Sequence, residues 1–128
     1  RASNWLGSAF DKSTQVALND PTVKVLYLSL GGNDLMNEWN KEMSLEQEQI
    51  LFADIKNRIL KVVNEYKKIR PDVKILVSGY DFPHFTDQHP LPEYREAFDQ
   101  MGQPTPLQLN SALARFSEVL SDLSDRSN

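Results

Sequence analysis

Cysteine is absent from the sequence, which removes disulfides, thiolate metal sites and cysteine nucleophiles together. No apolar run exceeds a few residues, so nothing in the chain is expected to span a bilayer as a helix. Basic residues are in the minority: 14 Lys and Arg stand against 18 Asp and Glu, a formal charge of −4. That balance argues against non-specific nucleic-acid binding, which needs a cationic surface to displace counterions. The chain opens on Arg1 rather than methionine, which is compatible with a leader removed upstream and leaves the compartment open. What is present is an ordinary globular composition, 40% hydrophobic and 25% charged, in 128 residues. That length suits one domain, with roughly two-thirds of the unfolded surface buried.

Two runs read as strands. Residues 23–30, Val-Lys-Val-Leu-Tyr-Leu-Ser-Leu, follow the turn signal Asn19-Asp20-Pro21 and end at Gly31-Gly32. Residues 73–78, Val-Lys-Ile-Leu-Val-Ser, are opened by Pro71-Asp72 and closed by Gly79. Runs apolar on both faces predict buried strands of a parallel sheet. Between them Leu51, Ile55, Ile59, Val62, Val63, Tyr66 and Ile69 recur at helical steps. Ser44 with Gln47 three residues on predicts a capping box at the start of that helix. Lys67, Lys68 and Arg70 suit its C-terminus, and Pro71 ends it. Leu109, Leu113, Phe116, Leu120 and Leu123 predict a further helix, and a shorter one covers residues 9–18 with Ser8 as N-cap and Asp11 in its first turn. Strand, long helix, strand is a βαβ unit, and the whole order implies an α/β protein with helices on the sheet faces. Residues 81–106 hold five of the seven prolines and both histidines and show no period, so they read as one long loop.

Ligands of open α/β sheets bind beyond the carboxyl ends of the strands. The first strand places Gly31-Gly32-Asn33-Asp34 there. The glycines allow a sharp turn and close approach of a ligand to the backbone. Asn33 then offers an amide NH2, two donors without charge, to an oxygen that becomes negative in a transition state. The same four residues are also good turn chemistry, with no ligand required.

The longer context, Val-Leu-Tyr-Leu-Ser-Leu-Gly-Gly-Asn-Asp-Leu-Met at positions 25–36, resembles the Gly-x-Asn-Asp block of the SGNH hydrolases, a superfamily of lipases, esterases and acetyl hydrolases. The helix and strand that follow, the proline-rich stretch and the final helix keep the family's order. The resemblance implies a flavodoxin-like three-layer sandwich with a parallel sheet and a serine-dependent hydrolysis of a carboxylic ester. It makes Asn33 the oxyanion donor, supported by Gly31, Gly32 and Asp34. A backbone N–H, of Gly7 by residue type or of Asn4 by spacing, is the candidate second donor. The implied substrate is a small-molecule ester, with no metal or organic cofactor.

The departures are as informative. The family's nucleophile lies in Gly-Asp-Ser, and this sequence contains neither that motif nor a Gly-x-Ser-x-Gly elbow. The family's Asp-x-x-His follows a later strand. Residues 1–128 are therefore expected to be a single, partial domain of this type, missing the nucleophile strand and the dyad, and inactive alone. Such a fragment is also expected to leave a strand edge and the apolar faces of Leu113, Phe116 and Leu120 open, and either to form oligomers through that edge or to be marginally stable and prone to aggregate. The alternative reading is a non-catalytic α/β module that binds a ligand or partner near Asn33.

Other residues invite chemistry but have plainer readings. Asp81-Phe82-Pro83-His84 is literally an Asp-x-x-His, and Asp87-Gln88-His89-Pro90 follows, yet both come one strand and one helix too early for the dyad. As a metal set the four lack preorganising spacing. The stretch that holds them is better placed as a wall of the acyl or alcohol pocket. Met36 and Trp39 are expected to cap the core, and Glu42, Glu46 and Glu48 to form a solvated helix start.

Overall fold

The computed structural model describes residues 2–5, 12–80 and 86–123. The first apolar run forms β1 over Val25–Leu28 and the second forms β2 over Lys74–Val77. They pair in parallel, Val25 opposite Lys74 and Leu28 opposite Val77, and make a two-stranded sheet. Side chains alternate across it. Leu26, Leu28, Leu30, Ile75 and Val77 face the core, half-buried. On the other face Val25, Tyr27 and Leu76 are 48%, 67% and 57% exposed. The expectation of strands buried on both sides is thus corrected: among the described residues the helices pack on one face only.

Between the strands runs α3, Leu45–Ile69, preceded by α2, Gly32–Glu38, and earlier in the chain lies α1, Lys12–Asn19. Ser44 and Gln47 make the full capping box at the start of α3. Phe52, Ile55, Ile59, Val62, Val63 and Tyr66 are its buried face, while Ile69, expected there, is 45% exposed and Leu51 only half-buried. The N-cap expected for α1, Ser8 with Asp11, lies outside the described residues. Where α3 ends, Arg70 does more than complement a helix terminus. Its guanidinium donates to the carbonyls of Leu18, Asp20 and Val23 at 2.8, 2.8 and 3.0 Å, joining the lead-in to β1 to the end of the helix. Its ion pair with Asp72 holds that carboxyl down to about 2.

The C-terminal helix α5, Pro106–Ser121, has a capping box of its own, Thr105 with Gln108. Leu113, Phe116 and Leu120 are 4%, 1% and 8% exposed, so the apolar faces expected to stand open are closed. They are covered by α3, against which α5 packs, with the Phe52 and Phe116 rings 5.2 Å apart. The supposed loop at 81–106 contains a helix, α4, Pro92–Gln100, with proline in its first turn. None of its residues is buried, but the half-buried Tyr94, Ala97 and Phe98 and the buried Met101 just beyond it fall at helical steps, a short period hidden among the prolines. No helix among the described residues is long and apolar enough to cross a membrane.

Two expectations about single residues resolve differently. Trp39 is in the core, 3% exposed. Glu48, expected in solvent, is 5% exposed, because Trp39 Nε1 donates to its Oε2 at 2.8 Å and Arg115 grips both oxygens at 2.5 and 3.0 Å. Burial alone raises the Glu48 pKa, but the bonds from Arg115 and Trp39 outweigh it and the net shift is downward. A depressed carboxyl stabilises the fold above the usual glutamate range, and that contribution is lost as pH falls through and below it. Glu48→Gln is therefore expected to lower the urea midpoint at pH 7, and the gap to wild type is expected to close toward pH 3.5. A gap unchanged with pH would remove the ion pair from the explanation.

Candidate functional site

Past Leu30 the backbone turns at Gly31, whose φ of +101° lies in the left-handed region. A Cβ at that position would come within 3.1–3.2 Å of Ile59, Phe116 and Ile55, so the turn also sits tight on the core. Gly31 is the N-cap of α2, and the Gly-Gly-Asn-Asp segment thus opens a helix rather than a plain loop. Consecutive helical residues point about 100° apart. That geometry separates the two polar residues: Asn33 is exposed, and Asp34 is fully buried.

Asn33 stands just beyond the carboxyl end of β1 and lines a crevice of about 330 Å³. Ala2, Trp5, Ser29, Leu30, Asp34 and Tyr80 line it as well. The backbone carbonyl of Asn33 accepts from the Asn37 amide, which fixes the first turn of α2. Tyr80 follows β2 by three residues and reaches the crevice because residue 32 is glycine: a Cβ there would lie 2.3 Å from Tyr80 Cε1.

Beneath Asn33, the Asp34 carboxylate joins three parts of the chain. Its Oδ2 accepts from the Ala2 N–H at 2.9 Å, and its Oδ1 accepts from Arg58 Nη1 on α3 at 3.0 Å. Arg58 also pairs with Glu38 at 2.6 and 3.0 Å and with Asp54. Glu38 foremost, then Asp54 and Asp34, hold the guanidinium protonated well above its ordinary range. The 3-10 turn Ala2–Trp5 is in this way tied to the helix that carries Asn33.

Asn4, one candidate for the second donor, lies in that turn; Gly7, the other, is outside the described residues. Asp81 and His84 are outside them too. Asp87 is exposed, and His89 packs on the Tyr94 ring with centroids 4.6 Å apart while its Nδ1 accepts from the Leu91 N–H. Neither Asp87 nor His89 lines the crevice. Among the described residues no three His, Asp or Glu side chains gather as a metal set. A larger hollow of about 590 Å³ borders α1 at Gln15, Val16, Asn19 and Asp20, but Asn19 and Asp20 spend their polar groups on Gln15 and Thr22.

No family model matches the chain, and no curated protein or solved structure does either. Chemistry has to be read from the crevice itself. It offers an uncharged amide donor at a strand end, a lining that mixes apolar and aromatic residues with polar ones, and one carboxylate, Asp34, whose charge is offset by its ion pair with Arg58. Sequence reasoning missed Tyr80 and Trp5. Applying the strand-end rule to β2 as well as to β1 would have found Tyr80.

Proposed function

We propose that this chain supplies the oxyanion-binding part of a serine-dependent carboxylic ester hydrolase of the SGNH type. The observation that carries the reading is Asn33, exposed at the carboxyl end of β1 and lining a crevice. In such a reaction a serine oxygen attacks the ester carbonyl carbon and the carbonyl π electrons move to its oxygen. The Asn33 amide donates to that oxygen as its charge grows, and a backbone N–H of the Ala2–Trp5 turn, which holds Asn4, is the candidate second donor. The chain itself contains no Gly-Asp-Ser, so the attacking serine and its base are assigned to no residue here.

A flavodoxin-like three-layer arrangement goes with the proposal. Its support is the outer sheet face, where Val25, Tyr27 and Leu76 stand in solvent although parallel sheets are ordinarily covered on both sides. The gene on either side of this chain tests the proposal: Gly-Asp-Ser encoded upstream and Asp-x-x-His downstream support the hydrolase. Absence of both favours the second reading, a non-catalytic binding module, for which the crevice needs no added residue.

The same exposed face and the edge of β1, unpaired among the described residues, lead us to propose self-association of the isolated chain. Light scattering after size exclusion is expected to show dimers or larger species, and Tyr27→Lys to shift them to monomer. A wild-type chain that stays monomeric at high concentration would contradict this.

A further inference from the structure

Building on the oxyanion reading of Asn33, we infer that the crevice takes a short-chain ester, with an acyl group of a few carbons seated between Trp5 and Tyr80. Its volume of about 330 Å³ is at the lower limit of small-molecule pockets, which run to about 1,000 Å³. Ala2, Leu30 and the two rings give it apolar walls, with Ser29, Asn33 and the Arg58-paired Asp34 as the polar groups. Tyr80 is the wall least free to retreat: it packs against the core cluster and lies so close to Gly32 that a single Cβ would overlap its ring at 2.3–2.9 Å. Trp5, 38% exposed, is carried by the turn that the Ala2–Asp34 bond joins to α2 at 2.9 Å. A pocket closed by a packed ring limits chain length, whereas an open apolar groove rewards every added methylene.

The test uses the chain as it stands, with ethyl acetate, ethyl butyrate and ethyl octanoate as probes, read by the NMR signals of the Trp5 indole N–H and the Tyr80 ring. The acetyl and butyryl esters are expected to shift both sets saturably, and the octanoyl ester to bind no more tightly than the butyryl. Affinity rising about fourfold for each methylene up to octanoyl, the behaviour of an open groove, would overturn the inference. So would binding that leaves Trp5 and Tyr80 unmoved. Tyr80→Ala is expected to favour octanoyl over butyryl by at least tenfold, and Tyr80→Phe to keep the wild-type order; an unchanged order in Tyr80→Ala would count against the wall. Asn33→Ala separates the two ideas when acetate, an anion, is added as a further probe. If the variant binds acetate as wild type does, with the short-chain ester preference intact, the oxyanion reading fails and the chain-length limit stands. If it loses acetate while wild type shows no limit on ester length, the reverse holds.

Discussion

Joined to a Gly-Asp-Ser strand and an Asp-x-x-His segment, the chain is expected to lose about 10²–10³ in kcat on Asn33→Ala, the usual effect of removing one oxyanion donor. The loss should fall on kcat more than on KM, because the hydrogen bond that the amide N–H donates to the carbonyl oxygen strengthens as that oxygen becomes negative. Asn33→Asp should be worse still, since it removes both donors and places an anion beside the developing charge. Asn33 is exposed and its side chain carries no part of the core, so the folded state should survive both changes. Steady-state kinetics with p-nitrophenyl acetate measure the effect. A kcat within a few-fold of the parent for Asn33→Ala would leave that side chain without a role in the chemistry.

Asp34→Ala is expected to be the more damaging change to stability. The carboxylate is fully buried, and its removal strands the Ala2 N–H, which costs about 1–3 kcal/mol for a buried donor left without a partner. Stranding a buried charge outright costs about 3–5 kcal/mol, but Arg58 retains Glu38 and Asp54, so the lower range applies. Beyond the stability loss, the turn Ala2–Trp5 should detach from the crevice. Urea unfolding gives the first quantity, and exposure of Trp5 to an aqueous fluorescence quencher, above wild type under native conditions, gives the second. Asp34→Asn, which keeps an oxygen for the Ala2 N–H but loses the charge, should lie between. Unchanged quenching in Asp34→Ala would mean that the Asp34 bond does not hold the turn.

Much of the scaffold was legible in the chain because local patterns determine it. The Ser44/Gln47 box, the period of α3 and α5 and the strand runs before Gly31 and Gly79 all depend on residues a few positions apart. Two helices escaped. α2 is only seven residues long and follows its N-cap Gly31 with a second glycine, so it reads as turn chemistry, and α4 buries no side chain fully. Charges were the other blind spot. Asp34 and Glu48 are buried only because Arg58 and Arg115 reach them from 24 and 67 residues further along the chain, a pairing no local pattern carries. The closing of α5 over Phe52 is equally non-local, and it explains why Leu113, Phe116 and Leu120 are covered where an open face was expected. At the candidate site, Asn33 was legible from its motif and Tyr80 from the end of the second strand run, but that the Tyr80 ring reaches the crevice depends on the room Gly32 leaves.

The most direct measurement is of the Asn33 amide itself. In a ¹⁵N-labelled chain titrated with acetate, whose anionic oxygen stands in for the oxyanion, the two side-chain N–H signals of Asn33 should shift together and saturate. Asn33→Ala should abolish the binding that the Trp5 indole N–H reports. An Asn33 amide that stays in place while acetate occupies the crevice, or acetate binding undiminished in Asn33→Ala, would contradict an oxyanion role for this residue.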